Sequence, residues 1–236
     1  MRSSTGYDLL QACRQPGCPA CRVEQSAVER YISGLLYESV NDIQVREHLR
    51  ASLGFCREHA RLAVEKNLGN ALGFAMIYQD VINNVLKQLG NEIAPPNTRR
   101  WSTLLKRIPA QVSQTVQIVL YALTPQKHCG ACQQRDRTIH LIISSLMDSL
   151  HESEMRQALH ASDGLCFPHL KKAFEAVTDR EVCDVLLTIH REKLEILRDE
   201  LADFIRKSDY RFQDEGIGAE GNSWRRTMDK VTGNIF

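Results

Sequence analysis

The chain has 236 residues, with 30 lysines and arginines against 29 aspartates and glutamates and 43% hydrophobic residues. That length builds one large domain or two small ones, and the charge balance supplies no global field toward nucleic acid or anionic lipid. No stretch approaches the roughly 20 apolar residues of a membrane span and MRSSTGYDLLQACRQ lacks a signal-peptide core, so a cytoplasmic protein is expected, its eight cysteines metal-binding or redox-active rather than disulfide-forming.

The first predicted element, a helix in YDLLQAC, feeds the dithiol Cys18 and Cys21 of GCPAC. Such a pair serves a metal, disulfide exchange or a haem linkage. Covalent haem needs His directly after the second Cys, where Arg22 stands, and a thioredoxin-like dithiol needs a βαβ setting. Neither is present. Val28, Tyr31, Ile32, Leu35 and Leu36 then recur at helical intervals, predicting a helix over 22–40. Asn41 and Asp42 end it and cap a shorter helix through Ser52, and Gly54 is a left-handed stop. A third helix is predicted from Arg57 to Leu89, broken near Gly69 to Gly73.

Next comes IAPPNTRRWSTLLKRIP, where Pro95 and Pro96 break the helix and Pro109 starts another. Arg99, Arg100, Lys106 and Arg107 surround Trp101 here without an acidic neighbour. They make nucleic acid a possible partner, although a protein partner is expected and a core role for Trp101 is the preferred reading. The nearly uncharged 110–123 predicts a buried central helix.

From Cys129 the chain repeats itself. CGACQQRDRTIHLIISSLMDSLHESEMRQALHASDGLCFPH echoes residues 18–59: Cys18 and Cys21 align with Cys129 and Cys132, Cys56 with Cys166, and His59 with His169. Val28, Ile32 and Leu35 match Ile139, Ile143 and Leu146. Helices are predicted over 133–149, 152–162 and 168–207, broken at Thr178 and Asp179. DEGIGAEG reads as a flexible linker, and SWRRTMDKV as a helix capped by Ser223 and docked by Trp224. Valines and isoleucines fall on the helical period and no hairpin signal appears. The fold expected is all-α, a tandem duplication of a metal-clamped helical unit around a central apolar helix. Its parts are 1–94, the first helical unit; 95–128, the basic loop and central helix; 129–207, the second unit; and 208–236, linker and terminal helix.

Each repeat supplies C-x2-C, then 34 or 33 residues, then C-x2-H. Three sulfurs and one imidazole make a complete tetrahedral set for zinc. Thus Cys18, Cys21, Cys56 and His59 are expected to hold one ion, and Cys129, Cys132, Cys166 and His169 a second. A helix of about 18 residues rises roughly 27 Å and one of about 11 returns roughly 16 Å, the rest being covered by an extended 53–56. The cysteine pairs sit at helix N-termini, where free N–H groups favour thiolate, and Arg22, Arg57 and Lys171 lie near in sequence. An iron–sulfur cluster is the alternative cofactor, and a thiol redox protein or a zinc-containing nucleic-acid binder the alternative functions. Cys13 and Cys183 have no counterpart in the other repeat and read as buried structural thiols. His48, His128, His140, His151, His160 and His190 read as surface or boundary residues.

The pairing of C-P-x-C with LLYESVNDIQVREHLRASLGFCREH resembles an uncharacterised family of bacterial cytosolic proteins with twin motifs of this kind. The resemblance covers about residues 7–235. The second repeat departs from it with Gly130 in place of Pro19 and FPH in place of REH, but keeps all four ligand types. It implies the site residues and no activity. No phosphate-cradling loop, nucleophile elbow or H-E-x-x-H is present. Four protein ligands leave a metal no open position, so the expected role is an interaction or regulatory module rather than an enzyme.

Overall fold

The computed structural model describes residues 4–90 and 110–233, and every regular element among them is helical. The α-helices are α1 (Ser4–Cys13), α2 (Pro19–Glu38), α3 (Ile43–Ser52), α4 (Arg57–Glu65), α5 (Ala71–Leu89), α6 (Ala110–Ala122), α7 (Gly130–Ser149), α8 (Ser153–Ala161), α9 (Phe167–Ala176), α10 (Arg180–Lys207) and α11 (Ser223–Thr232). The all-α expectation holds. Arg99, Arg100, Trp101, Lys106 and Arg107 lie outside the described residues.

The helix ends follow local side-chain chemistry. Asp42 accepts the Val45 N–H at 2.9 Å, Asn70 that of Gly73 at 2.7 Å and Asp179 that of Val182 at 3.0 Å, each satisfying a donor the first turn leaves free. Left-handed Asn67 and Gly69 separate α4 from α5. Matched residues of the two repeats make the same contacts. The Arg46 guanidinium donates to the Val40 carbonyl and that of Arg156 to Leu150, while the Ser52 and Ser162 hydroxyls donate to Leu49 and Leu159.

The compact units do not follow the expected boundaries. Unit 1 joins residues 1–27 to 135–236, and unit 2 is Val28–Gln134. Both α2 and α7 therefore begin in one unit and end in the other. Unit 1 buries Leu9, Leu146, Leu150, Met155, Leu159 and Leu186 together. In unit 2 the core is Ile32, Leu36, Leu62 and Ile77, with Phe55 edge-on to Phe74. Each such side chain contributes about 1.5–3 kcal/mol of hydrophobic free energy.

Three further expectations change. The described part of α6 packs against α5 within unit 2 and buries only Ala122, with Val119 and Leu123 exposed, so it is not a buried central helix. The flexible linker is instead two 3-10 turns, Tyr210–Glu215 and Ala219–Asn222. They are pinned by the Arg206–Glu215 fork and by buried Glu220, which accepts from Lys207 at 2.9 Å and from the Gly218 N–H at 2.8 Å. Finally, α11 follows Asn222 and does not dock through Trp224, which is exposed beneath the Arg225 guanidinium. Ser223, Lys230 and Gly233 face inward, while Trp224, Met228 and Val231 face out.

Candidate metal centres

The eight residues singled out by spacing gather into two sets of four, but not the two sets expected. In unit 1, Cys18 and Cys21 meet Cys166 and His169. In unit 2, Cys56 and His59 meet Cys129 and Cys132. Within each set the donor atoms all lie within 4.8 Å of one another. Each C-x2-C is completed by the C-x2-H of the other repeat.

Helix length explains the exchange. α2 has 20 residues and α3 has 10, so α2 rises about 30 Å and α3 returns only about 15 Å. Closing that gap requires 53–56 to be extended. Instead Leu53 and Gly54 are left-handed, at φ 55° and 83°, and the Gly54 N–H turns back to the Leu49 carbonyl at 2.8 Å, a Schellman-type stop. Cys56 is thereby kept beside the end of α3. In unit 2 the approach to Cys129 is tied down there. The Gln126 and Lys127 N–H groups donate to the Ala51 carbonyl at 2.7 and 3.1 Å, and His48 Nε2–H to that of His128 at 2.9 Å. A Cβ on Gly130 would stand 2.3 Å from the Tyr31 hydroxyl, which accounts for the departure from Pro19. In unit 1 the Gly17 N–H donates to Asp163 at 2.6 Å.

Both imidazoles turn Nδ1 to the sulfurs. His169 Nδ1 is 3.1 Å from Cys166, 3.4 Å from Cys21 and 3.7 Å from Cys18, and the Cys21 and Cys166 sulfurs are 3.6 Å apart. His59 Nδ1 is 3.1 Å from Cys56, 3.4 Å from Cys132 and 3.9 Å from Cys129, with Cys56 and Cys132 separated by 3.7 Å. A regular tetrahedron with about 2.3 Å metal–sulfur and 2.0–2.1 Å metal–nitrogen bonds has edges of about 3.8 Å between sulfurs and about 3.6 Å between sulfur and nitrogen. The donors stand close to those spacings.

The surroundings favour thiolate. Burial raises the Cys129 thiol, but bonds from His59 and from the Cys56, Cys132 and Ala131 backbone outweigh it and bring it to about 6. Bonds from Cys166, Cys21 and His169 hold Cys18 well below the ordinary thiol range despite its burial. Burial lowers His169, yet Cys166, Cys18 and Glu24 pull it up to about 11. Cys13, by contrast, is buried in the unit 1 core and pushed up to about 11 by that burial, in keeping with a structural thiol.

Several residues near the centres were not legible as such. Glu24 holds His169 Nε2 at 2.9 Å, the carboxylate–imidazole pairing that fixes a ligating tautomer. Arg135 occupies the matching position in the second repeat, and His59 has no carboxylate partner among the described residues. His190, expected at the surface, is 2% exposed; its Nε2 accepts the Leu165 N–H at 2.9 Å and its Nδ1–H donates to Leu186 at 2.8 Å. Lys230 lies within electrostatic reach of Cys18 and Cys166. Lys171 pairs outward with Glu175. His128, His140, His151 and His160 are exposed, as expected, and His48 is half-buried.

A fully formed pair of four-donor sites on an all-helical frame defines a cysteine- and histidine-rich helical protein with no strand and no membrane-spanning helix among the described residues. The chain belongs to a family of unknown function (DUF6062), whose model matches residues 9–236. It is 22% identical over 227 residues to an uncharacterized 23.9 kDa protein in the xynA 3′ region of Caldicellulosiruptor sp. (strain Rt8B.4), covering 95% of this chain and 99% of that protein. No solved structure matches it.

Proposed function

We propose that the chain binds two zinc ions, one per unit, as structural clamps of an interaction or regulatory module. Cys18, Cys21, Cys166 and His169 hold the first ion, and Cys56, His59, Cys129 and Cys132 the second. The observation that carries this reading is the near-tetrahedral spacing of both donor sets. Four protein ligands close the coordination shell, which suits a structural ion rather than a catalytic one. A [2Fe–2S] core would insert two irons and two sulfides between the ligand pairs, and donors all within 4.8 Å of one another favour a single ion over it. The role that remains is a rigid helical scaffold read by a protein partner.

Metal analysis of anaerobically purified protein, with its visible spectrum, tests this. The expected result is about two zinc ions per chain and no absorption above the protein band. Stoichiometric iron with sulfide and a brown colour would overturn it.

A further inference from the structure

The two centres hold the same donor types in unequal surroundings. In unit 1, Cys21, Cys166 and His169 are buried and Cys18 is half-buried. Glu24 holds His169 Nε2 at 2.9 Å, and loss of such a carboxylate partner ordinarily weakens metal binding about 10–100-fold. The buried Gly233, just past α11, lies against the sulfurs: a Cβ there would stand 3.8 Å from Cys166 Sγ and 3.9 Å from Cys21 Sγ. Lys230, three residues earlier, lies within electrostatic reach of Cys18 and Cys166, where its charge offsets the net negative charge of a zinc ion held by three thiolates. A polar cavity of about 580 Å³, walled in part by Lys193, Arg226 and Lys230, also reaches this centre. Cys166 in its wall is fully buried, so Cys18 is the one half-buried sulfur it meets.

In unit 2 the protection is thinner. Cys56 and Cys132 are both half-buried, and their sulfurs are 3.7 Å apart. His59 faces the three sulfurs through Nδ1, and among the described residues no carboxylate holds its Nε2. Two accessible, adjacent thiolates meet the requirement of disulfide formation by a peroxide, which needs one sulfur to attack and a second to resolve.

We infer that the unit 2 centre is a peroxide-responsive switch and the unit 1 centre a permanent clamp, a regulation that rests on the two-zinc reading above. One thiolate of the Cys56–Cys132 pair attacks hydrogen peroxide, the O–O bond breaks, and hydroxide leaves behind a sulfenic acid. The second thiolate attacks that sulfur, the S–O bond breaks, and another hydroxide leaves. The two sulfurs have lost two electrons to form a disulfide, solvent protons convert both hydroxides to water, and the ion, stripped of two of its four ligands, leaves as Zn²⁺.

Stepwise hydrogen peroxide added to the full-length, zinc-loaded chain tests this, with released zinc read by a chromogenic chelator and disulfides mapped by mass spectrometry. About one zinc per chain should leave first, together with a Cys56–Cys132 disulfide, and dithiothreitol with added zinc should restore it. Glu24→Gln should speed chelator removal of the retained ion about 10–100-fold, and Glu24→Asp less. Release of both ions together, first oxidation among Cys18, Cys21 and Cys166, retention of both ions, or an unchanged rate in Glu24→Gln would overturn the inference while leaving the two-zinc reading intact. Untreated protein without zinc would instead sink that reading, and the switch with it.

Discussion

His190 spends both ring nitrogens on backbone, and its bond to the Leu165 N–H fixes the loop that ends in Cys166. Burial holds its pKa at about 4, below the ordinary 6.5. The unfolded chain therefore takes up this proton more readily than the folded one. The resulting stabilisation is complete above pH ~6.5 and is lost as pH falls toward ~4, on the order of 3 kcal/mol. Urea denaturation across that interval should show wild type losing about that much more than His190→Gln; parallel curves would contradict the assignment. Spacing exposes His59 and His169 in the sequence because ligands of one metal must recur as C-x2-H. It hides His190, whose bonds run to its own helix and to a loop 25 residues away. Glu24 is hidden for the same reason, since only the fold sets it against His169.

At the scale of elements, the helices and most of their breaks follow from periodicity and caps, because Asp42, Asn70 and Asp179 act on neighbours three residues away. The turn at Leu53 and Gly54 is where local reading and global outcome part. Gly54 is legible as a left-handed stop, but a stop is incompatible with the extended path that within-repeat closure required. A Cβ at Gly54 would suffer the left-handed penalty, roughly 1–2 kcal/mol, and stand 2.8 Å from the Tyr78 ring. Gly54→Ala should therefore cost at least ~1–2 kcal/mol in chemical denaturation. Gly34→Ala, in the interior of α2 with nothing within 4 Å of the new methyl, should gain ~0.5–1 kcal/mol. Equal effects of the two substitutions would remove the turn from the explanation. The reversed face of α11 is illegible for a different reason: apolar periodicity indicates that a face exists, while the polar cavity decides which face turns inward.

For the whole molecule, the repeats were legible and their partnership was not. Matching cysteines give two ligand sets under either pairing, and only three-dimensional reach distinguishes them. Each unit draws its dithiol from one repeat and its Cys-His pair from the other, so the candidate metal centres link segments far apart in sequence. Structural zinc sites carry apparent binding energies of about 10–16 kcal/mol in small peptides, comparable with a domain's entire stability, so this pairing would decide what each proposed ion holds together. Metal stoichiometry in two double variants tests the crossed pairing directly. Cys18→Ser with Cys166→Ser strikes one centre and should leave about one zinc per chain. Cys18→Ser with Cys56→Ser strikes both and should leave essentially none. The reverse result, none in the first and one in the second, would contradict the crossed centres and restore closure within each repeat.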